Sequence, residues 1–383
     1  MIEIIERYTE EYQFSDIHLK EDKPVMLRIN GDMMIPDEGV VSSSELREFA
    51  NDTLNEGQKS RLEEVRDVDL AIEIDNYRFR ANFFYTSDGF SAVLRKIETE
   101  IPSMRELGIP FVMQEIVGKP NGLVLLTGPT GSGKSTSLAA IIDAINETKK
   151  GHILTIEDPI EYIHHSKKCS ISQREVGKDA HSFASALRAS LREDPDVILV
   201  GELRDLETIQ LAITAAETGH LVFATLHTAG APNTINRIID VFPADKQSQI
   251  RTMLAASLKG VVAQLLCKCD DTQVNLETGS PLFTGRVAVN EIMVSNSAVA
   301  AIIREGATQK IYDVIIGGKS EGMQFMDESI WEKLKSGMIS PFEAYMKAID
   351  KKRFKEYLPE NLQELAHSGG GEIEGAAAIP GMK

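Results

Sequence analysis

One run of eight residues, Gly128-Pro-Thr-Gly-Ser-Gly-Lys-Ser135, constrains the fold more than any other feature of the chain. It fits the pattern G-x-x-x-x-G-K-[ST] at every position. An apolar stretch (123–126) precedes it and a helix-competent stretch follows, so the spacing predicts a strand, a tight loop and a helix in that order. In such a loop, glycines let backbone N–H groups turn inward around phosphate oxygens, and the helix start favours an anion. Lys134 then brings a point charge to the β- and γ-phosphates, and the Ser135 hydroxyl is a ligand for Mg²⁺. The expected phosphate-binding set is Gly128, Pro129, Thr130, Gly131, Ser132, Gly133, Lys134, Ser135 and Thr136, and the expected cofactors are ATP and Mg²⁺.

Short apolar strands alternate with helical segments on both sides of this loop: 122–127 then 135–148, 152–157, 183–192 then 197–201, and 208–218 then 221–226. Alternation of this kind predicts an α/β domain with a mostly parallel sheet. The first 97 residues read differently. After a helix over 2–12 and a helix expected from Ser44 to about Val65, Val68, Leu70, Ile72 and Ile74 are apolar at period two. Beyond a turn at Asp75-Asn76, Tyr77, Phe79, Ala81 and Phe83 alternate with Arg78, Arg80 and Asn82. This predicts an antiparallel α+β unit with one face buried. The expected divisions are 1–97, a linker over 98–112, the P-loop domain over 113–291, a C-terminal helical region over 292–355, and a Gly/Ala-rich tail over 356–383, expected to be disordered.

Hydrolysis needs more than a phosphate cradle. The apolar strand in Asp196-Val-Ile-Leu-Val-Gly-Glu202 delivers Glu202 to the carboxyl edge where ligands bind in open α/β sheets. Glu202 is the expected residue to orient or deprotonate water; Arg204 follows it closely. A second acidic run, Thr155-Ile-Glu-Asp-Pro-Ile-Glu161, also follows an apolar strand. Three carboxylates beside a triphosphate repel it unless a metal intervenes, so Glu161, with Glu157 or Asp158, is expected to act through Mg²⁺ or its waters. His220 and His227 bracket another buried strand, which puts His227 at the same edge as Glu202.

Composition narrows the class. No apolar run approaches the ~20 residues of a membrane span, and the acidic first residues do not read as a signal peptide. With 41 basic and 58 acidic residues the net charge is −17, which disfavours nucleic acid as a partner. Three cysteines give neither a disulfide framework nor a zinc set.

Taken together, these motifs resemble the secretion-superfamily ATPases, and within them the type IV pilus retraction (PilT-like) group, over about residues 1–354. The acidic run resembles the family's Asp box, 191–205 its Walker B region, and 218–228 its His box. Ser15-Asp-Ile-His-Leu19 and Arg78-Phe-Arg-Ala-Asn82 resemble its N-terminal domain. Ala301-Ile-Ile-Arg-Glu-Gly306 resembles its helical signature, with Val299 and Ala300 where Ile and Arg are usual. The resemblance implies a PAS-like domain joined to a RecA-like domain and a homo-hexameric ring with ATP at its seams. It further implies an inner-membrane pilus platform protein as partner, a cytoplasmic location at the inner-membrane face, and membrane association through partners only. It points to the N-terminal domain as the donor of arginines that reach the nucleotide, for which Arg80 and Arg95 are expected, with Arg204 as the rival because it follows Glu202 so closely. The function expected is an ATP-driven motor for pilus retraction. The alternatives are a pilus assembly or type II/IV secretion ATPase, and a scaffold that binds ATP without turnover.

Overall fold

Period-two patterning in the first hundred residues becomes a six-stranded antiparallel sheet. Its order is β4-β3-β1-β8-β7-β6, with β1 (Asp16–Lys20), β3 (Met26–Ile29), β4 (Asp32–Met34), β6 (Asp67–Ile74), β7 (Tyr77–Thr86) and β8 (Gly89–Ile97). Two short strands, β2 (Lys23–Pro24) and β5 (Val40–Val41), pair separately. The buried face carries Ile17, Leu19, Leu27, Phe79, Ala81, Phe83 and Leu94. Helices α1 (Ile2–Glu11) and α2 (Ser43–Thr53) pack on them through Ile5, Tyr8, Leu46 and Phe49.

The computed structural model describes residues 1–29, 32–36, 39–75, 77–97, 100–274, 281–359 and 362–363. The turn residue Asn76, the linker residues Glu98 and Thr99, and residues 360, 361 and 364–383 of the tail lie outside the described residues; the start of the tail is packed, with Leu358 and Leu362 buried.

The helix expected over residues 44–65 is two helices, α2 and α3 (Glu56–Val65). The cap is Ser42 rather than Ser44: its hydroxyl accepts from Glu45 N–H, and the Glu45 carboxylate accepts from Ser42 N–H. Asn55 and Gln58 form a second capping box that starts α3. This second box, two residues beyond the end of α2, satisfies orphan amides that one continuous helix would not expose.

The second sheet has seven strands in the order β11-β10-β12-β13-β9-β14-β15. They are β9 (Gly122–Thr127), β10 (Gly151–Glu157), β11 (Cys169–Glu175), β12 (Val197–Val200), β13 (Leu221–Leu226), β14 (Leu258–Lys268) and β15 (Arg286–Val294). β12, β13, β9 and β14 run parallel to their neighbours in that series, and β15 is antiparallel to β14. Every residue of β9, β12 and β13 is buried, as expected of parallel strands covered on both faces. Helices α4 (Val112–Val117), α5 (Lys134–Thr148), α6 (Phe183–Ser190), α7 (Leu206–Glu217), α8 (Ala231–Asp240) and α9 (Ala244–Ser257) accompany it. β15 extends to Val294, so the helical region begins later than residue 292, with α10 (Ser297–Glu305) and α11 (Ile311–Gly317). Then α12 (Met326–Lys335), α13 (Pro341–Lys347) and α14 (Lys351–Lys355) pack Met326, Ile330, Ala344 and Phe354 with Cys267 and Val289 of the sheet. Burial there pushes the Cys267 thiol up to about 12.

The chain divides into two compact units. The first holds Met1–Ile101 together with Ile156–His165 and Gln173–His181; the second holds Pro102–Thr155, Ser166–Ser172 and the chain from Ser182 onward. The acidic run 157–161 therefore groups with the N-terminal residues and not with the P-loop.

Candidate active site

Register fixes the edge at which the site is built. Gly122, Leu221 and Val197 are aligned across β9, β13 and β12, so the three parallel strands start together and point their carboxyl ends to one edge, with β12 stopping at the level of Ala224. Gly128, Gly201-Glu202 and His227 follow those ends directly.

The loop after β9 is shaped by glycine geometry. Gly128 has φ +143° and Gly133 φ +81°. A Cβ on Gly128 would lie 2.3 Å from the Gln264 carbonyl oxygen. Gly133 occupies the N-cap of α5 with no side-chain cap, so the amides of the first turn stay available to an anion. The Lys134 ammonium is buried over the loop, donating to Gly128 O at 2.9 Å and Pro129 O at 3.0 Å. The hydroxyls of Thr127 and Ser132 are buried with no partner among the described residues. A cradle of uncapped amides, one buried cation and unsatisfied hydroxyls fits a polyphosphate.

A clasp on this loop escaped the sequence reading. Gln264 on β14 is buried; its Nε2 donates to Ser132 O at 2.7 Å and its Oε1 accepts from the Ser137 hydroxyl at 2.9 Å. One amide thereby ties the loop and the first turns of α5 to the neighbouring strand. Gln264→Leu strands a buried carbonyl and a hydroxyl, an expected loss of about 1–3 kcal/mol. Thermal unfolding should show it, and nucleotide affinity should fall with it as the loop loosens. An unchanged melting temperature and affinity would remove Gln264 from the site.

Glu202 is flanked on both sides. Arg204 Nε donates to its Oε2 at 2.8 Å, and His227 Nε2 lies 3.5 Å from its Oε1. Glu202 stands outside α7, whose N-cap is Asp205, its carboxylate accepting from Thr208 N–H. His220 falls at the other end of β13, its Nδ1 3.0 Å from Ala215 O. Six residues of strand, about 20 Å, separate it from His227. The structure thus brings the P-loop, Glu202, Arg204 and His227 to one edge and leaves His220 at the opposite one.

In the N-terminal unit, Arg80 and Arg95 are directly opposed on β7 and β8. Like charges in that position repel, and each has its own carboxylate: Arg80 pairs with Asp69, and Arg95 Nε donates to Asp16 at 2.9 Å. The bond that Arg80 donates to Asp69 raises the Arg80 pKa, with the charges of Asp69, Glu161 and Asp158 adding to it. The Asp box thus lies within the field of Arg80. Glu157 Oε1 accepts from Gln173 Nε2 at 3.4 Å.

Burial opposes the charge on Asp16, but bonds from Ser15 and Arg95 outweigh it and hold the carboxyl below its ordinary value. A depressed carboxyl stabilises the fold above its unfolded pKa and loses that contribution as pH falls through the folded value. Arg95→Ala should therefore destabilise by on the order of 1 kcal/mol at neutral pH. The deficit should close in acid, where Asp16 is protonated in both proteins. Urea titrations from pH 7 to 2 would show this, and a deficit constant with pH would assign the loss to packing.

The family model for type II/IV secretion system proteins matches residues 4–356. The chain belongs to the type II/IV secretion system protein family. Within this family it is 46% identical over 348 residues to a type IV pilus retractation ATPase, PilT, of Pseudomonas aeruginosa, covering 91% of this chain and 95% of that one. It is 48% identical over 324 residues to a twitching motility protein of Neisseria gonorrhoeae, covering 84% of each. A crystal structure of the pilus retraction motor PilT with bound ADP superposes with a TM-score of 0.81 at 42% identity, over 92% of this chain and 98% of that one. Among the described residues of this family member, no helix is long and apolar enough to cross a membrane.

Proposed function

We propose that this chain is an ATP-hydrolysing motor that powers type IV pilus retraction. The observation that carries the reading is the uncapped, glycine-shaped start of α5 with Lys134 buried across it, at the same strand edge as Glu202. The likeness to the ADP-bound retraction motor and to the twitching motility protein supports the choice of ATP and of pilus retraction. In this reading the motor is a homo-hexamer in the cytoplasm, working on a pilus platform protein in the inner membrane.

Ser135 would hold Mg²⁺ directly, and Glu161 through a water. Mg²⁺ takes few protein ligands beside substrate phosphates. The metal supplies charge neutralisation on the phosphates. Gly131, Ser132, Gly133 and Lys134 bind and orient them through backbone amides and the ammonium. Glu202 aligns the attacking water and takes its proton, and Arg204 and His227 hold that carboxylate in place. Arg80 and Arg95 supply positive charge to the reacting phosphate.

Lys134→Ala tests the site. Loss of one charge-assisted contact costs on the order of 1.5–3 kcal/mol, roughly ten- to more than a hundredfold in ATP affinity. Unchanged affinity at low ATP would refute the cradle. Phosphate release from the unmodified protein, with and without added nucleic acid, separates a motor of this kind from a scaffold without turnover and from a nucleic-acid motor. Comparison of pilus length in cells with and without the protein separates retraction from assembly.

A further inference from the structure

By alternation Arg78 and Arg80 share one face of β7, yet their surroundings differ. The Arg80 side chain is 40% exposed, and that of Arg78 only 10%. What meets Arg78 is Glu175, at the end of β11, whose Oε2 lies 3.7 Å from Arg78 Nη2. Both belong to the N-terminal unit, which includes the segments 156–165 and 173–181.

Glu175 has a second task. The same Oε2 accepts from Ile160 N–H at 3.1 Å, inside the acidic run. Val176 N–H donates to Glu157 O at 2.8 Å. Gln173 donates to Tyr162 O at 2.9 Å and accepts from His164 N–H at 2.7 Å. The backbone of residues 157–164 is therefore clamped along its length by residues 173–176, and Arg78 connects that clamp to the N-terminal sheet.

The pair is a poor device for stability. Arg78 Nε and Nη1 are buried with no partner among the described residues. Buried ion pairs whose remaining hydrogens are unmet are often matched or exceeded by apolar side chains of the same volume. What an arginine supplies here, and a leucine cannot, is a positive charge drawn to one carboxylate across a dry contact.

We propose that Arg78 is a positioning residue: acting through Glu175, it holds the loop that carries Glu157, Asp158 and Glu161 to the N-terminal sheet. The consequence is that this loop travels with the N-terminal unit during the motor cycle. The inference rests on the reading that Glu161 serves the nucleotide-bound Mg²⁺.

The test uses the full-length protein with Arg78→Met, Arg78→Lys and Glu161→Gln. Amide hydrogen exchange is followed across residues 157–164, and kcat and KM are measured for ATP. Arg78→Met should speed exchange at Ile160 by about tenfold or more and lower kcat by a similar factor with KM nearly unchanged, and Arg78→Lys should restore part of both. Should Arg78→Met fold poorly because Glu175 is stranded, the double variant with Glu175→Gln removes the buried charge and carries the same expectation. Unchanged exchange in a folded variant overturns the proposal, as does faster exchange with unchanged kcat when Glu161→Gln is inactive. If Glu161→Gln turns over normally, the metal reading fails by itself, and the exchange result still decides whether Arg78 holds the loop.

Discussion

Glu202→Gln should keep nucleotide and lose turnover by about 10²–10⁴-fold. The change is nearly isosteric, and the amide oxygen can still accept from Arg204 Nε, which now bonds the carboxylate at 2.8 Å. Lys134 and the α5 amides are untouched, so affinity for ATP should stay within a few-fold. What disappears is the negative charge that aligns water and draws its proton. Single-turnover phosphate release, beside equilibrium binding of a fluorescent ATP analogue, separates the two effects. A variant that retains more than about a tenth of wild-type turnover places the base elsewhere, with Glu161 next in line.

Arg80→Ala should fold, bind ATP and hydrolyse it about 10³-fold more slowly, the lower range for an arginine supplied to developing phosphate charge. Its present partner does not argue against that role. The Arg80–Asp69 pair is 40% and 36% exposed, and pairs of that kind contribute about 0–1 kcal/mol. Exchange of Asp69 for a triphosphate is therefore favourable in electrostatic terms. Asp69→Asn should preserve turnover, because it frees the guanidinium rather than removing it. Arg95 is a less clean probe, since its loss strands the buried Asp16. If Arg80→Ala hydrolyses at the normal rate, the guanidinium is a solvated surface group. If turnover is lost, mixing with Glu202→Gln chains reveals whether one subunit's arginine serves another's site: activity recovered in mixed rings means that it does.

The alternation of strands and helices, the P-loop, and the placement of Glu202 and His227 at one edge were legible in the residues, and for a common reason. Each depends on local pattern: period two, an apolar run ended by a glycine, or a turn only glycine can make. β9, β12 and β13 are short and apolar on both faces, so their ends could be located from sequence, and with them the position of Glu202 just past β12. β14 was not legible, because α9 runs into it at Ser257–Leu258 without a glycine or proline to mark the change. Only pairing with β9 and β15 makes that stretch a strand. Gln264 was hidden with it: a lone glutamine in an apolar run has no signature until Ser132 and Ser137 stand on either side. The helix over 44–65 was read as one because Leu54-Asn55 is a weak break, decided by one capping box between Asn55 and Gln58.

The acidic run shows the division most clearly. Its sequence identifies Glu157, Asp158 and Glu161 as candidates for metal chemistry, since three carboxylates beside a triphosphate repel it unless a metal intervenes. Nothing in that order says which part of the fold carries them. That is decided by contacts more than ten residues apart in the chain, from Gln173 and Glu175 to the loop backbone and from Arg78 to Glu175. Local chemistry determined what these residues can do; long-range packing, which no window of sequence contains, decided what holds them.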